Sequence, residues 1–202
     1  MTNLISKIFF LYFLGVASSF AGEHDHHGGN LANERPQPIL SNSIFNLESK
    51  WTNQEGKTNK LSALRGKVTV LAMTYTSCQA ACPIITANMK QIENKLPDKT
   101  KNKVHFAIFS FDHQKDVPEK LKGYASKQSL DLNRWSLFQG SKSGVQELAL
   151  ILGIKYKRDS KGDFEHSNVI TVVDSEGLIK HQQIGLNADS AETLAIITKL
   201  NP

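Results

Sequence analysis

The segment from Val68 to Tyr75, VTVLAMTY, constrains the fold of this chain more than any other. Nearly all of its residues are apolar, β-branched or aromatic, which is typical of a strand that is buried on both faces of a sheet. A helix is predicted from Pro83 to Leu96, because apolar residues recur there at helical spacing and proline is favoured in a first helical turn. A doubly buried strand followed so closely by a helix indicates a sheet that is covered by helices.

Strands and helices continue to alternate along the rest of the chain. Strands are predicted at 104–111, 135–138, 169–173 and 178–184, and helices at 118–128, 144–152 and 188–200. The polar residues at 53–56 indicate a turn between two earlier strands. We therefore predict one α/β domain over residues 43–202, a sandwich with a central mixed sheet flanked by helices and an N-terminal β-hairpin.

The N-terminus carries a predicted export signal. Lys7 precedes the apolar run Ile8–Phe20, and small residues surround Phe20. At 13 residues the run is shorter than the roughly 20 that span a membrane, so residues 1–21 are interpreted as a signal peptide cleaved after Ala21. An uncleaved anchor is the alternative. The protein is expected to be exported, either periplasmic or facing the outside of the inner membrane, and to reach the membrane only through a partner or that anchor.

Residues 22–42 are polar and rich in glycine and proline, which predicts a flexible tail. Within it His24, His26 and His27 surround Asp25, and such imidazoles are either a candidate accessory metal site or simply solvated. Removing residues 1–21 takes away one lysine and lowers the net charge of +5 by one. Because the remaining lysines are scattered, a nucleic-acid partner is not expected.

The two cysteines, Cys78 and Cys82, lie between the buried strand and Pro83, in TYTSCQAACP. Ligands collect at the carboxyl ends of strands in open α/β sheets, and a helix N-terminus stabilises a thiolate, so both thiols are expected to be reactive. One helical turn would place their β-carbons about 5 to 6 Å apart, which suits a shared metal ion or a redox-active disulfide. Soft thiolates favour Cu(I) or Zn(II), but two cysteines are too few for a closed zinc finger.

A candidate imidazole ligand is His166, in the polar loop predicted before the strand at 169–173. A loop histidine of this kind is also consistent with simple solvation, so position alone leaves its role open.

Three segments, YTSCQAACP, SFDHQKDVPEKLKGYA and EHSNVITVVDSEG, resemble in order and spacing the motif blocks of the Sco/SenC family of copper-delivery proteins. The resemblance covers about residues 43–200. It implies a thioredoxin-like fold in which Cys78 and Cys82 bind Cu(I) and His166 joins them, especially for Cu(II). Asp112 and Asp116 match family acids near the site, although a strand end and a helix cap are structural alternatives for them.

Several residues depart from the family pattern: Gln79 and His113 stand where proline is usual, and Glu165 stands where aspartate is usual. None of these departures removes a ligand, but they leave close equivalence to a cytochrome oxidase assembly factor open. His113 is either an extra ligand or solvated.

Three functions remain in competition. The first is a copper chaperone that passes the metal by ligand exchange to a respiratory oxidase subunit or to another periplasmic copper carrier. The second is a thiol-disulfide oxidoreductase that acts on the cysteines of a metal-accepting partner. The third is a structural disulfide between Cys78 and Cys82, which would contribute little stability because the loop it closes is short.

Overall fold

The computed structural model describes residues 41–160 and 162–201. The strands are β1 Lys50–Asn53, β2 Thr58–Lys60, β3 Val68–Thr74, β4 Val104–Ser110, β5 Trp135–Gly140, β6 Tyr156–Arg158, β7 Phe164–His166, β8 Val169–Val173 and β9 Ile179–Ile184. The helices are α1 Ala81–Lys95, α2 Asp98–Lys101, α3 Pro118–Lys127, α4 Lys142–Ile151 and α5 Ala191–Leu200. The predicted signal peptide, nearly all of the predicted tail, and His24, His26 and His27 lie outside the described residues.

Seven strands form one mixed sheet in the order β2-β1-β5-β4-β3-β8-β9. Strands β3, β4 and β5 are parallel to one another, whereas β8 runs antiparallel to β3, and β1 runs antiparallel to β5. The remaining strands, β6 and β7, pair as a separate antiparallel hairpin. The predicted α/β architecture with a central mixed sheet and an N-terminal β1–β2 hairpin is confirmed.

The central strands β3 and β4 are buried along their whole length, as the apolar run of β3 predicts. Successive side chains of β3 point to opposite faces, so Leu71 and Met73 join one core and Val70 and Ala72 join the other. Because both faces are covered, side chains near β3 can serve a ligand at a strand end, and in open α/β sheets ligands collect at the carboxyl end, from which α1 departs.

Element boundaries differ from the predictions where the local pattern is weakest. Helix α1 begins at Ala81 rather than Pro83, which puts Cys82 in its first turn and leaves Cys78 in the preceding loop. The hairpin β6–β7 was not predicted, because its strands are three residues long and none of their side chains is fully buried. In the part of the chain that the structure describes, no helix has both the length and the apolar character needed to cross a membrane.

His105 in β4 makes the stability of the fold depend on pH. Its side chain is buried beside Ser136, 3.1 Å from Nε2 to Oγ, and burial, assisted by Lys67, lowers its pKa to about 4. In the unfolded chain His105 is protonated below about pH 6.5, whereas in the folded protein it is protonated only below about pH 4. Stability is lost as the pH falls through this window.

We expect this histidine to cost about 2 kcal/mol of the free energy of unfolding between pH 7.5 and pH 5. Urea unfolding of the wild type and of His105→Gln at several pH values measures the difference. The variant should show a shallower decline, and parallel curves for the two proteins would contradict the assignment.

Candidate metal centre

The loop between β3 and α1 brings the two cysteines together. The Cys78 amide donates to the Tyr75 carbonyl at 3.3 Å, which folds the loop back on the strand end. The Cys82 amide, in the first turn of α1, donates to Cys78 Sγ at 3.4 Å. Both thiols are free rather than joined in a disulfide. The prediction that both cysteines lie on one helical turn is therefore wrong. The helix N-terminus nevertheless directs the Cys82 N–H group at the Cys78 sulfur.

The pKa values of the two thiols are shifted in opposite directions. Burial acts to raise the pKa of Cys78, but hydrogen bonds from the Cys82 amide, the Cys82 thiol and the Tyr75 hydroxyl outweigh it and lower the pKa. Cys82 is fully buried, and this burial, followed by its thiol bond to Cys78, raises its pKa well above the usual value. The lowered pKa favours Cys78 as the more nucleophilic thiol of the pair, whereas both cysteines were expected to be reactive.

His166 lies at the end of strand β7, not in a loop as predicted. Its Nε2 atom is 3.5 Å from Cys82 Sγ, and its Nδ1 atom is 3.0 Å from the Ser167 carbonyl oxygen. Because a carbonyl can only accept, Nδ1 carries a proton in this arrangement, and Nε2 faces the Cys82 sulfur. The hairpin β6–β7 thus supplies an imidazole nitrogen oriented to bind a metal ion.

Aromatic rings surround this histidine. The Phe111 ring centroid is 5.0 Å from that of His166, and the Tyr75 ring stands edge-on at 6.3 Å. Phe164 packs against Tyr75 at 5.1 Å. The candidate donors, two sulfurs and one imidazole nitrogen, therefore lie close to aromatic side chains, and this donor set and environment suit Cu(I).

The three candidate ligands form a chain of contacts, from Cys78 to Cys82 and from Cys82 to His166, rather than a ring around one point. Across residues 41–160 and 162–201, no group of three or more His, Cys, Asp or Glu side chains is arranged to hold a metal ion. Metal binding through all three residues would thus require their side chains to reorient.

Asp112 lies just beyond the end of β4 and is almost fully buried. Its Oδ1 atom is 2.9 Å from Arg158 Nη2, and it accepts from the amides of Gln114 and Lys115. Arg158 also lies over the Phe164 ring, 4.7 Å from its centroid. Asp112 therefore fastens the hairpin that carries His166 to the end of the central sheet.

Asp116 is not a helix cap, because α3 has Val117 at its N-cap position and no side-chain cap bond. Its carboxylate instead accepts from the Thr76 amide at 2.9 Å, from the Thr76 hydroxyl and from the Ser110 hydroxyl. Asp116 thus joins the end of β4 to the loop that carries Cys78. His113 lines a groove beside Phe111, and its carbonyl accepts from Gln139.

Two residues of this region were missed in the sequence. Tyr75 was treated only as the end of a buried strand, although its place three residues before Cys78 was a usable signal. Arg158 gave no signal, because its pairing with Asp112 joins residues that are far apart in the chain.

The Tyr75 hydroxyl accepts from the Phe164 amide at 3.3 Å, and its interaction with the Cys78 thiol helps to lower the pKa of that thiol. Burial, and secondarily the interaction of the hydroxyl with the Cys78 side chain, raises the pKa of Tyr75 to about 12, so the hydroxyl remains protonated at neutral pH. We expect Tyr75→Phe to raise the pKa of Cys78 and to slow its alkylation by iodoacetamide at pH 7 by about three- to tenfold. Tyr156→Phe, a matched variant nearby, should leave the rate unchanged, and equal rates in all three proteins would refute the contact.

A family model described as SCO1/SenC matches residues 40–201, which is nearly the whole of the described domain. The chain belongs to the SCO1/SenC family. The SCO1 protein homolog of Bacillus subtilis (strain 168) is 31% identical over 133 residues, which is 64% of this chain and 68% of that protein.

Solved structures of the family share the fold. A SCO1/SenC family lipoprotein from Bacillus anthracis superposes with a TM-score of 0.71 at 28% identity, covering 79% of this chain and 96% of that one. BsSco, described as a Sco family member of the cytochrome c oxidase assembly proteins with a disulfide switch, gives 0.67 at 26% identity, covering 79% and 93%. Bradyrhizobium japonicum ScoI with copper bound gives 0.63 at 22% identity, covering 75% and 96%. The fold of this chain is thioredoxin-like, as predicted.

Proposed function

We propose that this protein is a copper chaperone, which binds copper through Cys78, Cys82 and His166 and delivers it to a respiratory oxidase during cytochrome c oxidase assembly. The observation that carries the proposal is the 3.5 Å approach of His166 Nε2 to Cys82 Sγ, beside Cys78. His166 lies 84 residues from Cys82 in the chain, and a fold that brings it to the two cysteines supports a shared role in metal binding.

The donor chemistry supports copper as the cargo. Thiolates select Cu(I) among the available ions, and an imidazole adds a ligand that Cu(II) also accepts. Bradyrhizobium japonicum ScoI has been solved with copper bound, and BsSco is described as an oxidase assembly protein. Membership of the same family extends both properties to this chain as part of the proposal.

Delivery would proceed by ligand exchange. Cys78 and His166 are the more accessible ligands, whereas Cys82 has no exposed surface. Incoming thiolates or imidazoles of the acceptor would therefore replace Cys78 and His166 first, and Cys82 would release the metal last. Because each exchange substitutes one ligand for another, copper is never free in solution.

The proposal includes the organisation of the whole chain. Residues 1–21 would direct export to the periplasm or the outer side of the inner membrane, and residues 43–202 would form the copper-binding domain. The intervening tail would offer His24, His26 and His27 as an accessory copper site. The acceptor would be an oxidase subunit or another periplasmic copper carrier.

The proposal is tested by titrating the reduced protein with Cu(I) in competition with a chromogenic chelator. One equivalent of copper should bind, and the same protein oxidised to the Cys78–Cys82 disulfide should bind far less. Failure of the reduced protein to take copper from the chelator would reject the chaperone function.

The lowered pKa of Cys78 and the raised pKa of Cys82 support thiol-disulfide oxidoreductase activity as a second candidate function. The Cys78 thiolate would attack a partner disulfide and form a mixed disulfide, which Cys82, after losing its proton, would then resolve. The products are a Cys78–Cys82 disulfide and a reduced partner. His166→Ala should preserve this reaction while it weakens Cu(II) binding, and equal loss of both would show that the two roles are not separate.

A further inference from the structure

A groove of about 700 Å³ opens beside the metal centre, between α4 and the hairpin β6–β7. Its lining combines apolar and basic side chains, chiefly Phe111, Leu150, Tyr156, Lys142, Lys155 and Lys157. No acidic residue lines this basic groove among the parts of the chain that the structure describes. Its chemistry is therefore complementary to a negatively charged ligand with an apolar part.

The three lysines of the rim form no ion pairs among the described residues, although Glu165 is the cross-strand partner of Lys157 in the hairpin β6–β7. Lys142, Lys155 and Lys157 are all exposed. Arg158, by contrast, is held by Asp112. Unpaired charges of one sign around a concave surface raise the local concentration of ligands of the opposite sign.

The apolar part of the groove is exposed as well. Leu150 is 80% exposed, and its neighbour Ile151 also has much of its surface in water. The Tyr156 ring, which lines the same groove as Leu150, stacks on Phe111 with centroids 4.9 Å apart. A contiguous apolar floor with a charged rim is the usual composition of a protein interface.

This floor continues into the metal centre. Phe111 contacts the His166 ring on one side and the Tyr156 ring on the other. Lys155 and Lys157 also border a second depression, which His166 and Glu165 line. A molecule seated in the basic groove would therefore present its neighbouring side chains at His166.

We propose that the basic groove docks the protein that receives the copper, through a surface segment in which acidic side chains surround an apolar one. The partner identity rests on the proposed function, because a protein that receives the copper must approach His166. An anionic membrane is disfavoured, since a membrane-binding basic cluster needs no concave apolar floor beside it.

The probe for this proposal is a short synthetic peptide of alternating aspartate and glutamate around one phenylalanine. Nuclear magnetic resonance of the full domain should show saturable binding, with amide shifts confined to residues 111–114 and 142–158. Joint Lys155→Glu and Lys157→Glu substitution should weaken binding by about tenfold. Joint Lys95→Glu and Lys99→Glu, the same charge change near the C-terminal end of α1, should have little effect.

Leu150→Ala tests the apolar floor, since this exposed side chain can be shortened without disturbing the core. It should weaken binding by about threefold, and a peptide with alanine in place of phenylalanine should bind more weakly by a similar factor. Equal binding of both peptides to both proteins would overturn the apolar contact.

Other results would overturn the groove itself. Equal weakening by the two charge-reversed pairs would show a net-charge effect only. If the joint Lys155→Glu and Lys157→Glu variant loses binding to phosphatidylglycerol vesicles but binds the peptide like the wild type, the groove is a membrane-binding surface instead. Cu(I) stoichiometry is measured on the same samples: loss of peptide binding with copper binding intact supports the groove, whereas wild-type protein that binds the peptide but no copper rejects the function alone.

Discussion

Replacing Cys82 with serine is expected to lower the affinity for Cu(I) by several hundredfold. Metal sites of four ligands bind with about 10 to 16 kcal/mol, so one lost thiolate costs about 3 to 4 kcal/mol, and the serine hydroxyl does not replace it. His166→Ala should cost only about tenfold for Cu(I) and much more for Cu(II), because imidazole is the harder donor. Chelator competition measures the first affinity, and electron spin resonance follows the second.

The pH dependence of binding distinguishes a lost ligand from a damaged fold. Burial raises the pKa of Cys82, so copper must displace a proton from this thiol at neutral pH, and affinity should rise with pH. The Cys82→Ser variant should release one proton fewer and show a correspondingly shallower slope. Ser77→Ala, an exposed change in the same loop, is the control and should bind like the wild type. Unchanged slope and affinity in Cys82→Ser would remove Cys82 from the site.

Replacing Asp116 with alanine is expected to lower the free energy of unfolding by about 3 kcal/mol. The carboxylate is buried and accepts from the Thr76 amide and from the hydroxyls of Thr76 and Ser110. Alanine leaves these donors without their acceptor in a place that water reaches poorly. Urea unfolding measures the loss, and Cu(I) affinity should fall as well, because Thr76 stands two residues before Cys78.

Asp98→Ala provides the matched control, since that side chain is 95% exposed and its one ion pair, with Lys101, is a surface pair. We expect it to change stability by less than about 0.5 kcal/mol. Asp116→Asn should lie between the two, because the amide keeps the shape but loses the charge. Full stability in Asp116→Ala would show that the loop holds itself without this carboxylate.

Much of the fold was predictable because it is encoded in local patterns. The continuous apolar run of β3 identified the sheet centre, and the structure keeps all seven of its residues buried. The spacing in α1 predicted a helix after it, although its start was placed two residues late. The reason is that Ala81 and Cys82 carry no strong helix signal, whereas Pro83 does.

The polar parts of the site were predicted less well. Asp116 looked like a cap because it precedes a helix, but its carboxylate turns inward to the loop after β3. The hairpin β6–β7 was not predicted because its short, half-exposed strands show no clear alternation of apolar and polar residues. Family resemblance supplied His166, which position alone left undecided.

The sequence by itself determined that two thiols stand where a doubly buried strand meets a helix, because hydrophobic periodicity and the position of proline are local properties. Only the tertiary structure decided that His166, 84 residues from Cys82, approaches its sulfur. It also decided that the pKa of Cys78 is lowered while that of Cys82 is raised. Burial and approach depend on how β7, Asp112 and Arg158 pack against the sheet, and such long-range contacts leave no periodic trace in a single chain.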